Sequence, residues 1–411
     1  MPAVPRVTIV PWNTGETKRT LRANHNMKPK LRPGPSSLRW MLCSALSLSA
    51  IAAAGTLTNV DTVFLIVMEN VNWSALKGSS SAPYINNTLL PISSYCEQYY
   101  TPPGLPGSLP NYLWLEAGTN FGVLDSNEPS AHSFNSTKHL VTLLVNAGIS
   151  WKSYQENISG TNCPVSNGGL YAAYHNPFVY FKDITSDLGD CLTHIRPFTE
   201  LAADLANNTV ARYNFITPNL CDDMHNSSGC ATSDRIRNGD NWLASEVPNI
   251  LASPAYQNNG ALFITWDEGV SPTLAGPIGM IVVSPLAKGG GYISTNRYTH
   301  ASTLRTMQEI FGVQPFLAGA AAAASLSSLF QQQVTSTDRP AFTFPTRPAD
   351  GQFHVTLVGL SPGWTNVVET SSDLSSWLPL VTNVSHTTTV GFTDTTSEAV
   401  LQRFYRIMRT P

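Results

Sequence analysis

The chain has 411 residues, more than one typical domain needs, which suggests a large domain with a smaller one attached. Hydrophobic residues make up 42% of it, enough for a sizeable core. The formal net charge is −3, but residues 1–54 carry eight Lys and Arg and one Glu, which leaves 16 basic and 26 acidic residues beyond them. A nucleic-acid-binding protein normally has the opposite imbalance, so the composition argues against that class.

Residues 1–54 are predicted to be an N-terminal extension and a signal peptide. From Met27 a basic stretch leads into an apolar stretch, Trp40 to Ala53, and Ala52-Ala53-Ala54 fits a small-residue cleavage site. The apolar stretch is short for a membrane span, which favours a cleaved leader over the alternative of a retained anchor. The leader predicts a secreted protein, periplasmic or extracellular.

Residues 57–333 alternate apolar runs of strand length with helix-like stretches. This alternation predicts an α/β fold whose mostly parallel sheet is flanked by helices. The predicted strands are Val63–Met68, Tyr213–Ile216, Ala261–Trp266 and Gly279–Val283, and the predicted helices are Lys138–Ala147, Phe198–Ala206 and Ala301–Phe311. Ligands bind beyond the carboxyl ends of the strands in such sheets, so the residues after each strand are the first candidates for function.

Five of the six cysteines lie beyond the leader, and an exported chain would oxidise them. Cys221 and Cys230 are close enough in sequence to close one loop. Cys163 and Cys191 could close another, which would leave Cys96 unpaired. Other pairings stay open, because connectivity does not follow from sequence alone.

The last part of the chain has a different pattern. Residues 334–351 are rich in Pro, Thr and Asp and are predicted to be a linker. Residues 352–411 show short alternating runs separated by turn signals, which predicts a small antiparallel β-sandwich module. The segment VVETSSDLSSWLPLVTN resembles small β-sandwich modules appended to secreted bacterial proteins. Trp377 would then be a core residue, and an exposed, sugar-binding Trp377 is the alternative.

Polar residues follow several of the predicted strands. Glu69-Asn70 follow the first, PNLCDDMH follows the second, Asp267-Glu268 follow the third, and His300 comes after the fourth, just before a helix. Any one of them could be an ordinary turn or helix cap. Their recurrence at one edge of one sheet predicts a cluster that could hold one or two divalent metal ions, because carboxylates, amides and imidazoles are common ligands.

A candidate nucleophile is Ser108, in the stretch GSLPNY. The alkoxide of a Ser at the start of a helix can be stabilised by free backbone N–H groups and by a metal ion. The alternative is that Ser108 only caps the helix.

Taken in order, these motifs resemble a known family. The segments MEN, SLPNY, SWKSYQEN, HNPFVYF, ITPNLCDDMH, FITWDEG and NRYTHASTLRTMQEIFG are similar to the phosphoesterase family of acid phosphatases and bacterial phospholipases C, within the alkaline phosphatase superfamily. The resemblance covers residues 60–330. It implies an alkaline-phosphatase-like fold and a metal-dependent phosphoric ester hydrolase.

The resemblance also implies roles for individual residues. Ser108 would be the nucleophile. The metal ligands would come from Glu69, Asn70, Asp223, His225, Asp267, Glu268 and His300. The substrate would be held by Asn127, Lys152, Tyr154, His175 and Asn219, and loop packing is the alternative for Lys152, Tyr154 and His175.

The implied reaction is an in-line displacement at phosphorus. Ser108 would attack the phosphate of a monoester and form a phosphoseryl intermediate, which water would hydrolyse. The cofactor would be one or more divalent metal ions, and the partner would be a phosphate ester rather than nucleic acid. A phospholipase C-type phosphodiesterase is the first alternative. The second is a non-catalytic surface-binding protein, whose C-terminal module contacts a cell surface.

Overall fold

A computed structural model of the chain describes residues 57–270, 276–331, 340–346, 352–360, 363–385, 387–395 and 402–410, and the backbone of one N-terminal strand, β1 (Arg6–Ile9). These residues form two compact units, 57–331 and a second unit made of β1 and the described residues from 340 onwards. The predicted leader from Met27 lies outside the described residues. None of the helices in the described ranges is long and apolar enough to cross a membrane.

The larger unit is built on an eight-stranded sheet. The strands of this unit are β2 (Val63–Met68), β3 (Ser94–Cys96), β4 (Tyr99–Tyr100), β5 (Trp151–Gln155), β6 (Ile195–Pro197), β7 (Tyr213–Thr217), β8 (Ala261–Trp266), β9 (Met280–Val283), β10 (Tyr292–Ser294) and β11 (Tyr298–Thr299). Their order in the large sheet is β10-β3-β9-β8-β2-β7-β5-β6, while β4 and β11 form a separate parallel pair.

The centre of the sheet is parallel and fully buried. Strands β8, β2, β7, β5 and β6 run in one direction. Every residue of β2 and β8 is buried, as expected for strands covered on both faces. The predicted fold class, a mostly parallel α/β sheet flanked by helices, is confirmed. The predicted parallel strand at residues 279–283 is wrong in direction, because β9 pairs antiparallel with both β8 and β3.

Helices cover the sheet. They are α1 (Trp73–Leu76), α2 (Leu90–Ile92), α3 (Ser108–Ala117), α4 (Leu140–Asn146), α5 (Lys182–Thr185), α6 (Leu188–His194), α7 (Leu201–Asn207), α8 (Arg235–Ala252), α9 (Pro254–Gln257) and α10 (His300–Phe311). The three predicted helices correspond to α4, α7 and α10. The predicted disulfides Cys163–Cys191 and Cys221–Cys230 are both present, and Cys96 is free and buried.

The second unit is a sandwich of two small sheets. Its further strands are β12 (Ala341–Thr346), β13 (Phe353–Val358), β14 (Thr365–Ser371), β15 (Leu378–Val384), β16 (Thr389–Asp394) and β17 (Gln402–Thr410). One sheet has the order β1-β17-β14-β15 and the other β12-β13-β16; all pairs are antiparallel except β1 with β17. Alternate residues of β13 are buried, which gives the sandwich its core.

Two predictions for this unit are corrected. The predicted linker 334–351 contains a strand, because β12 pairs with β13. Trp377 is not a core residue: it is half-buried, its ring lies 4.4 Å from the Arg406 guanidinium, and its Nε1 donates to the Leu374 carbonyl oxygen. The core instead consists of Phe353, Val355, Leu357, Leu360, Val368 and Tyr405.

Candidate active site

Ser108 is the first residue of α3, where backbone N–H groups have no partner within the helix. Its side chain is buried, and Oγ donates a hydrogen bond to Glu69 Oε2 at 3.0 Å. The backbone N–H groups of Ser108 and Leu109 instead donate to Ser126 Oγ, at 3.2 and 3.4 Å. The serine hydroxyl and a pair of helical N–H donors therefore lie at the same place, which is the arrangement that an anionic phosphate requires.

The preceding residue explains how the chain reaches this position. Gly107 has φ 80°, in the region that favours glycine, and a Cβ atom there would lie 2.9 Å from Ser126 Oγ. Asn111 Nδ2 donates to the Gly107 carbonyl oxygen at 2.9 Å and ties the turn to the helix. The serine position is thus set by a turn that only glycine accommodates without strain.

Register in the sheet brings the acidic strand ends together. Met68 of β2 is paired with Trp266 of β8, so Glu69 and Asp267 leave the sheet side by side. The Asp267 N–H donates to the Met68 carbonyl oxygen at 2.9 Å. Asn70 adopts φ 45°, a conformation that Asn tolerates, and this directs its N–H to Asp267 Oδ1 at 3.2 Å. The prediction that these strand ends lie at one edge of the sheet is therefore confirmed.

A loop after β7 supplies the third carboxylate. The Glu69 N–H donates to the Asp223 carbonyl oxygen at 2.7 Å, which joins this loop to β2. The His225 N–H donates to Asp223 Oδ1 at 2.7 Å. His175 lies between two acids, with Nε2 3.2 Å from Glu69 Oε1 and Nδ1 3.4 Å from Asp223 Oδ2. Glu69, Asp223, Asp267 and His175 are all buried.

The electrostatics of this acidic cluster (Glu69, Asp223, Asp267 and Glu268) are unfavourable for a protein without a bound cation. Burial, followed by the charges of Asp267 and Asp223, raises the pKa of Glu69 well above its ordinary value. Burial likewise raises the pKa of Asp223 well above its ordinary value, that of Asp267 to about 6 and that of Glu268 to about 8. Burial lowers the pKa of His175 far below its ordinary value, so this imidazole is neutral and does not balance the acids.

The acidic cluster and the neighbouring Asn70 have buried oxygens that accept no hydrogen bond from any described residue. They are Glu69 Oε1, Asn70 Oδ1, Asp223 Oδ2, Asp267 Oδ2 and Glu268 Oε2. Hard divalent cations prefer such carboxylate and amide oxygens, so the donor set fits a metal ion. Within the described ranges, no group of three or more His, Cys, Asp or Glu side chains stands ready in metal-binding geometry. The case for a cation therefore rests on the unsatisfied oxygens and on the raised pKa values, which show that these buried carboxyl groups ionise only at a cost without a counter-ion.

His300 has a different environment from the one predicted. Its Nε2 lies 2.6 Å from the Asp267 carbonyl oxygen and its Nδ1 lies 3.1 Å from the Tyr99 hydroxyl. Since a carbonyl oxygen only accepts, Nε2 carries the proton and Nδ1 accepts from Tyr99. Both ring nitrogens are engaged, which argues against direct metal binding. Burial lowers the pKa of His300 to about 4, so a neutral ring holds the Asp267 backbone in place.

Four predicted substrate-binding residues are engaged elsewhere. Lys152 Nζ and the Tyr154 hydroxyl both donate to Asp204 Oδ2, each at 2.6 Å. Both side-chain groups of Asn219 form hydrogen bonds within its own loop, with Asp222 and Cys221. Asn127 is exposed, and its N–H donates to Asp125 Oδ1. Of the predicted substrate-binding residues, His175 alone is brought into the acidic cluster.

Other residues at the site were not singled out by the sequence. Ser126 lies in the loop where Asn127 was predicted to act, and its hydroxyl accepts the N–H groups at the start of α3. Tyr174 is half-buried, and burial together with the charges of Glu69, Asp223 and Asp267 raises its pKa. Arg235 donates to the carbonyl oxygen of Met224, next to Asp223. Ser126 and Tyr174 each lie next to a residue that the sequence analysis had singled out, whereas Arg235 does not.

Comparison with known proteins assigns the chain to a family of hydrolases. Residues 80–314 match the Phosphoesterase family, more than half of the chain, so the chain belongs to this family and is a phosphoric ester hydrolase. The family assignment argues against the non-catalytic alternative.

The chain is similar to proteins named as phosphatases and phospholipases C. The chain is 28% identical over 265 residues to a phosphatidylinositol-3-phosphatase of Mycobacterium tuberculosis, covering 64% of this chain and 80% of that protein. It is 27% identical over 243 residues to a probable acid phosphatase of Kluyveromyces lactis, covering 54% of this chain and 53% of the other. It is 26% identical over 307 residues to phospholipase C A of Mycobacterium tuberculosis, covering 59% and 56%. The chain thus spans only about half the length of the latter two.

Among solved structures, the chain is similar to a protein in the alkaline phosphatase superfamily from Vibrio parahaemolyticus. The TM-score is 0.44 at 10% identity, and the match covers 80% of this chain and 90% of the other.

Proposed function

We propose that this phosphoesterase is a secreted, metal-dependent phosphomonoesterase that acts through a phosphoseryl intermediate on Ser108. The observation that carries the proposal is the 3.0 Å hydrogen bond from Ser108 Oγ to Glu69 Oε2, at the N-terminus of α3 and beside the acidic cluster. A serine that only capped the helix would direct its oxygen to a backbone N–H of the first turn. Here the N-cap residue is Gly107, and the side chain of Ser126 accepts the first two N–H groups. The Ser108 hydroxyl is directed to Glu69 instead.

The chemistry of the chain's own residues follows from this contact. Ser108 Oγ forms a bond to phosphorus as the bond to the leaving oxygen breaks, and the hydroxyl proton passes to Glu69 Oε2, which already accepts it in a hydrogen bond. The N–H groups of Ser108 and Leu109 stabilise a non-bridging phosphate oxygen once it replaces Ser126 Oγ. Solvent protonates the departing oxygen. A water oxygen then bonds to phosphorus as the P–Oγ bond breaks, and the proton held by Glu69 returns to Ser108 Oγ. Inorganic phosphate leaves while the displaced water proton passes to solvent.

The residues that would hold the metal are Glu69, Asn70, Asp223, Asp267 and Glu268, whose oxygens include those without a hydrogen bond. A divalent cation there supplies positive charge that offsets both the buried acids and the phosphate. His300 Nε2 donates to the Asp267 carbonyl oxygen and so helps to hold the Asp267 backbone in position.

Secretion is supported by two kinds of observation. The leader pattern from Met27 is typical of an exported protein. The two disulfides, Cys163–Cys191 and Cys221–Cys230, are typical of an oxidising compartment. Detection of the mature protein outside the cytoplasm, with cleavage after Ala54, would test this part of the proposal; such cleavage would also remove β1 from the second unit.

The activity is tested with p-nitrophenyl phosphate, bis-p-nitrophenyl phosphate and phosphatidylcholine, with and without chelator. Ser108→Ala should lower kcat/KM for the monoester by about 10⁴-fold, as removal of catalytic nucleophiles does in other hydrolases. Ser133→Ala is the matched control, because Ser133 is exposed and outside the site. Unchanged turnover in Ser108→Ala would rule out the phosphoseryl route.

The phospholipase C alternative is favoured by one observation, the relatives of that name. Both activities would use the same serine and the same acidic cluster. Faster turnover of bis-p-nitrophenyl phosphate or phosphatidylcholine than of the monoester would select this alternative.

A further inference from the structure

A cationic side chain lies against the loop that carries Asp223. Arg235 is the first residue of α8, and its Nη1 donates to the Met224 carbonyl oxygen at 3.2 Å. Met224 lies between Asp223 and His225, so the guanidinium is next to the acidic cluster. Burial lowers the pKa of Arg235, while the charge of Asp223 acts in the opposite direction. The Arg235 guanidinium and the Asp223 carboxylate therefore attract each other.

The surrounding structure fixes this position. Asp234 caps α8 by accepting the Arg237 N–H at 3.1 Å. At Gly239, one turn further on, a Cβ atom would lie 2.3 Å from Met224 Cγ, so α8 packs directly on the loop. The disulfide Cys221–Cys230 closes the same loop. Arg235 is thus held by rigid neighbours, as a group that positions a ligand needs to be.

Most N–H donors of the Arg235 guanidinium have no acceptor among the described residues. Unlike Arg196 and Arg305, which pair with Glu200 and Glu309, it forms no ion pair with any carboxylate of the described residues. Its one hydrogen bond is to the Met224 carbonyl, out of five N–H donors in a planar fork. This fork matches two oxygens of a phosphate group, and a charged guanidinium is favoured at such sites.

The charge of the substrate decides what Arg235 contributes. A phosphate monoester carries up to two negative charges near neutral pH, and a diester carries one. The acidic cluster repels the monoester more strongly, so a fixed cation beside it matters more for the monoester. We propose that Arg235 binds a non-bridging phosphate oxygen of the substrate and is the residue that sets the preference for monoesters over diesters. This inference rests on the proposed phosphomonoesterase function.

The test compares Arg235→Gln and Arg235→Lys in the full, metal-loaded protein. The readouts are kcat/KM for p-nitrophenyl phosphate and bis-p-nitrophenyl phosphate, and the Ki of inorganic phosphate. Arg235→Gln should lower kcat/KM for the monoester by about 100-fold but for the diester by less than about tenfold, in line with the loss of a charge-assisted contact. The Ki of phosphate should rise by at least about tenfold, and Arg235→Lys should recover part of each loss.

Arg237→Gln is the matched control. Arg237 lies on the same helix, but its guanidinium donates to the Ser80 carbonyl oxygen, so its loss should change the ratio of the two kcat/KM values less than twofold. Equal loss on both substrates in Arg235→Gln, or an unchanged Ki of phosphate, would overturn the inference and leave Arg235 as a tie for the Met224 loop. Failure of the proposed function gives a different result: wild-type monoester turnover would be absent or would survive Ser108→Ala.

Discussion

Both ends of helix α3 lie beside buried acids. The acids at the two ends differ in whether a cationic side chain is paired with them. At its start, Ser108 contacts the acidic cluster, whose oxygens are partly without hydrogen bonds. Near its end, Glu116 accepts a hydrogen bond from His139 Nδ1 at 3.0 Å, and His139 Nε2 lies 2.9 Å from Asp183 Oδ2. No Lys or Arg of the described residues forms an ion pair with the first group of acids. The second is balanced by an imidazolium.

The pKa of each group records this difference. In the acidic cluster burial raises the pKa of every carboxylate, and the attraction of Arg235 for Asp223 does not reverse this. At His139, burial alone would lower the pKa, but hydrogen bonds to Asp183 and Glu116 raise it to about 9. An internally balanced cluster stabilises the fold, whereas an unbalanced one is costly unless something from outside binds. This contrast supports the proposal that the Ser108 end of the helix is the functional one.

Among the changes that compare the charges at the two ends, the largest expected effect comes from removing one charge of the acidic cluster. Asp267→Asn keeps an acceptor for the Asn70 and Glu268 N–H groups but removes a buried negative charge. Activity should fall by about 10²–10³-fold as metal affinity weakens. The metal-free protein should become more stable by about 1 kcal/mol, because repulsion within the acidic cluster is relieved. A stability loss in urea unfolding of the metal-free variant would contradict the unbalanced state of the cluster.

The opposite result is expected at the structural end. His139→Gln leaves Glu116 and Asp183 without their imidazolium, and should lower the free energy of unfolding by about 3 kcal/mol. The kcat of the folded variant should change less than fivefold, because no atom of His139 reaches Ser108 in the described contacts. His132→Gln is the control: His132 pairs with an exposed Asp125, so its loss should cost less than about 1 kcal/mol. Equal losses in the two variants would refute the buried-pair account.

The pH dependence of stability should report on the same histidine. Its pKa is raised from 6.5 to about 9 on folding, so its contribution is complete below about pH 6.5 and is lost as pH rises through 9. Burial raises the pKa of Glu116, which offsets part of this contribution. We expect wild type to lose about 1–3 kcal/mol more than His139→Gln between these pH values. Parallel profiles in chemical denaturation would show that His139 is not charged in the folded protein.

The smallest effect is expected at Lys152. Its ammonium pairs with Asp204 at a partly exposed position, so Lys152→Gln should cost less than about 1 kcal/mol. Since this pair involves no residue of the acidic cluster, kcat/KM should stay within twofold of wild type. A tenfold rise in KM would restore the role in substrate binding that the sequence motif suggested.

Sequence patterns identified the fold where burial alone determines structure. Strands β2 and β8 are uninterrupted apolar runs because both faces are covered, and their predicted bounds match the structure. The direction of β9 was missed, because an apolar run predicts a buried strand but not its direction. In the structure β9 pairs antiparallel with β8, the preceding strand in the chain, as well as with β3. Trp377 was misplaced because it lies in the connection between β14 and β15, where the alternation of a strand does not decide which side chains are buried.

Prediction of the site from the sequence was limited in the same way, to contacts set by neighbouring strands. Strand ends placed Glu69 and Asp267 together, because parallel neighbours end at one edge. The direction of the His300 ring depends on the Tyr99 hydroxyl, contributed by a distant strand pair, and no local pattern reveals it. Arg235 follows a disulfide loop of ordinary polar composition, so its proximity to Asp223 appears only in the folded chain. The catalytic and ligand roles of all these residues stay predictions until they are measured.

The central claim is that Ser108 becomes phosphorylated during turnover, and it is tested most directly by trapping that intermediate. The protein is mixed with p-nitrophenyl phosphate, quenched in acid within milliseconds to seconds, digested and analysed by mass spectrometry. The account predicts one phosphate on the peptide containing Ser108, at a stoichiometry that falls as substrate is exhausted, and none in Ser108→Ala. Phosphate on another residue would contradict the account, as would rapid turnover in Ser108→Ala.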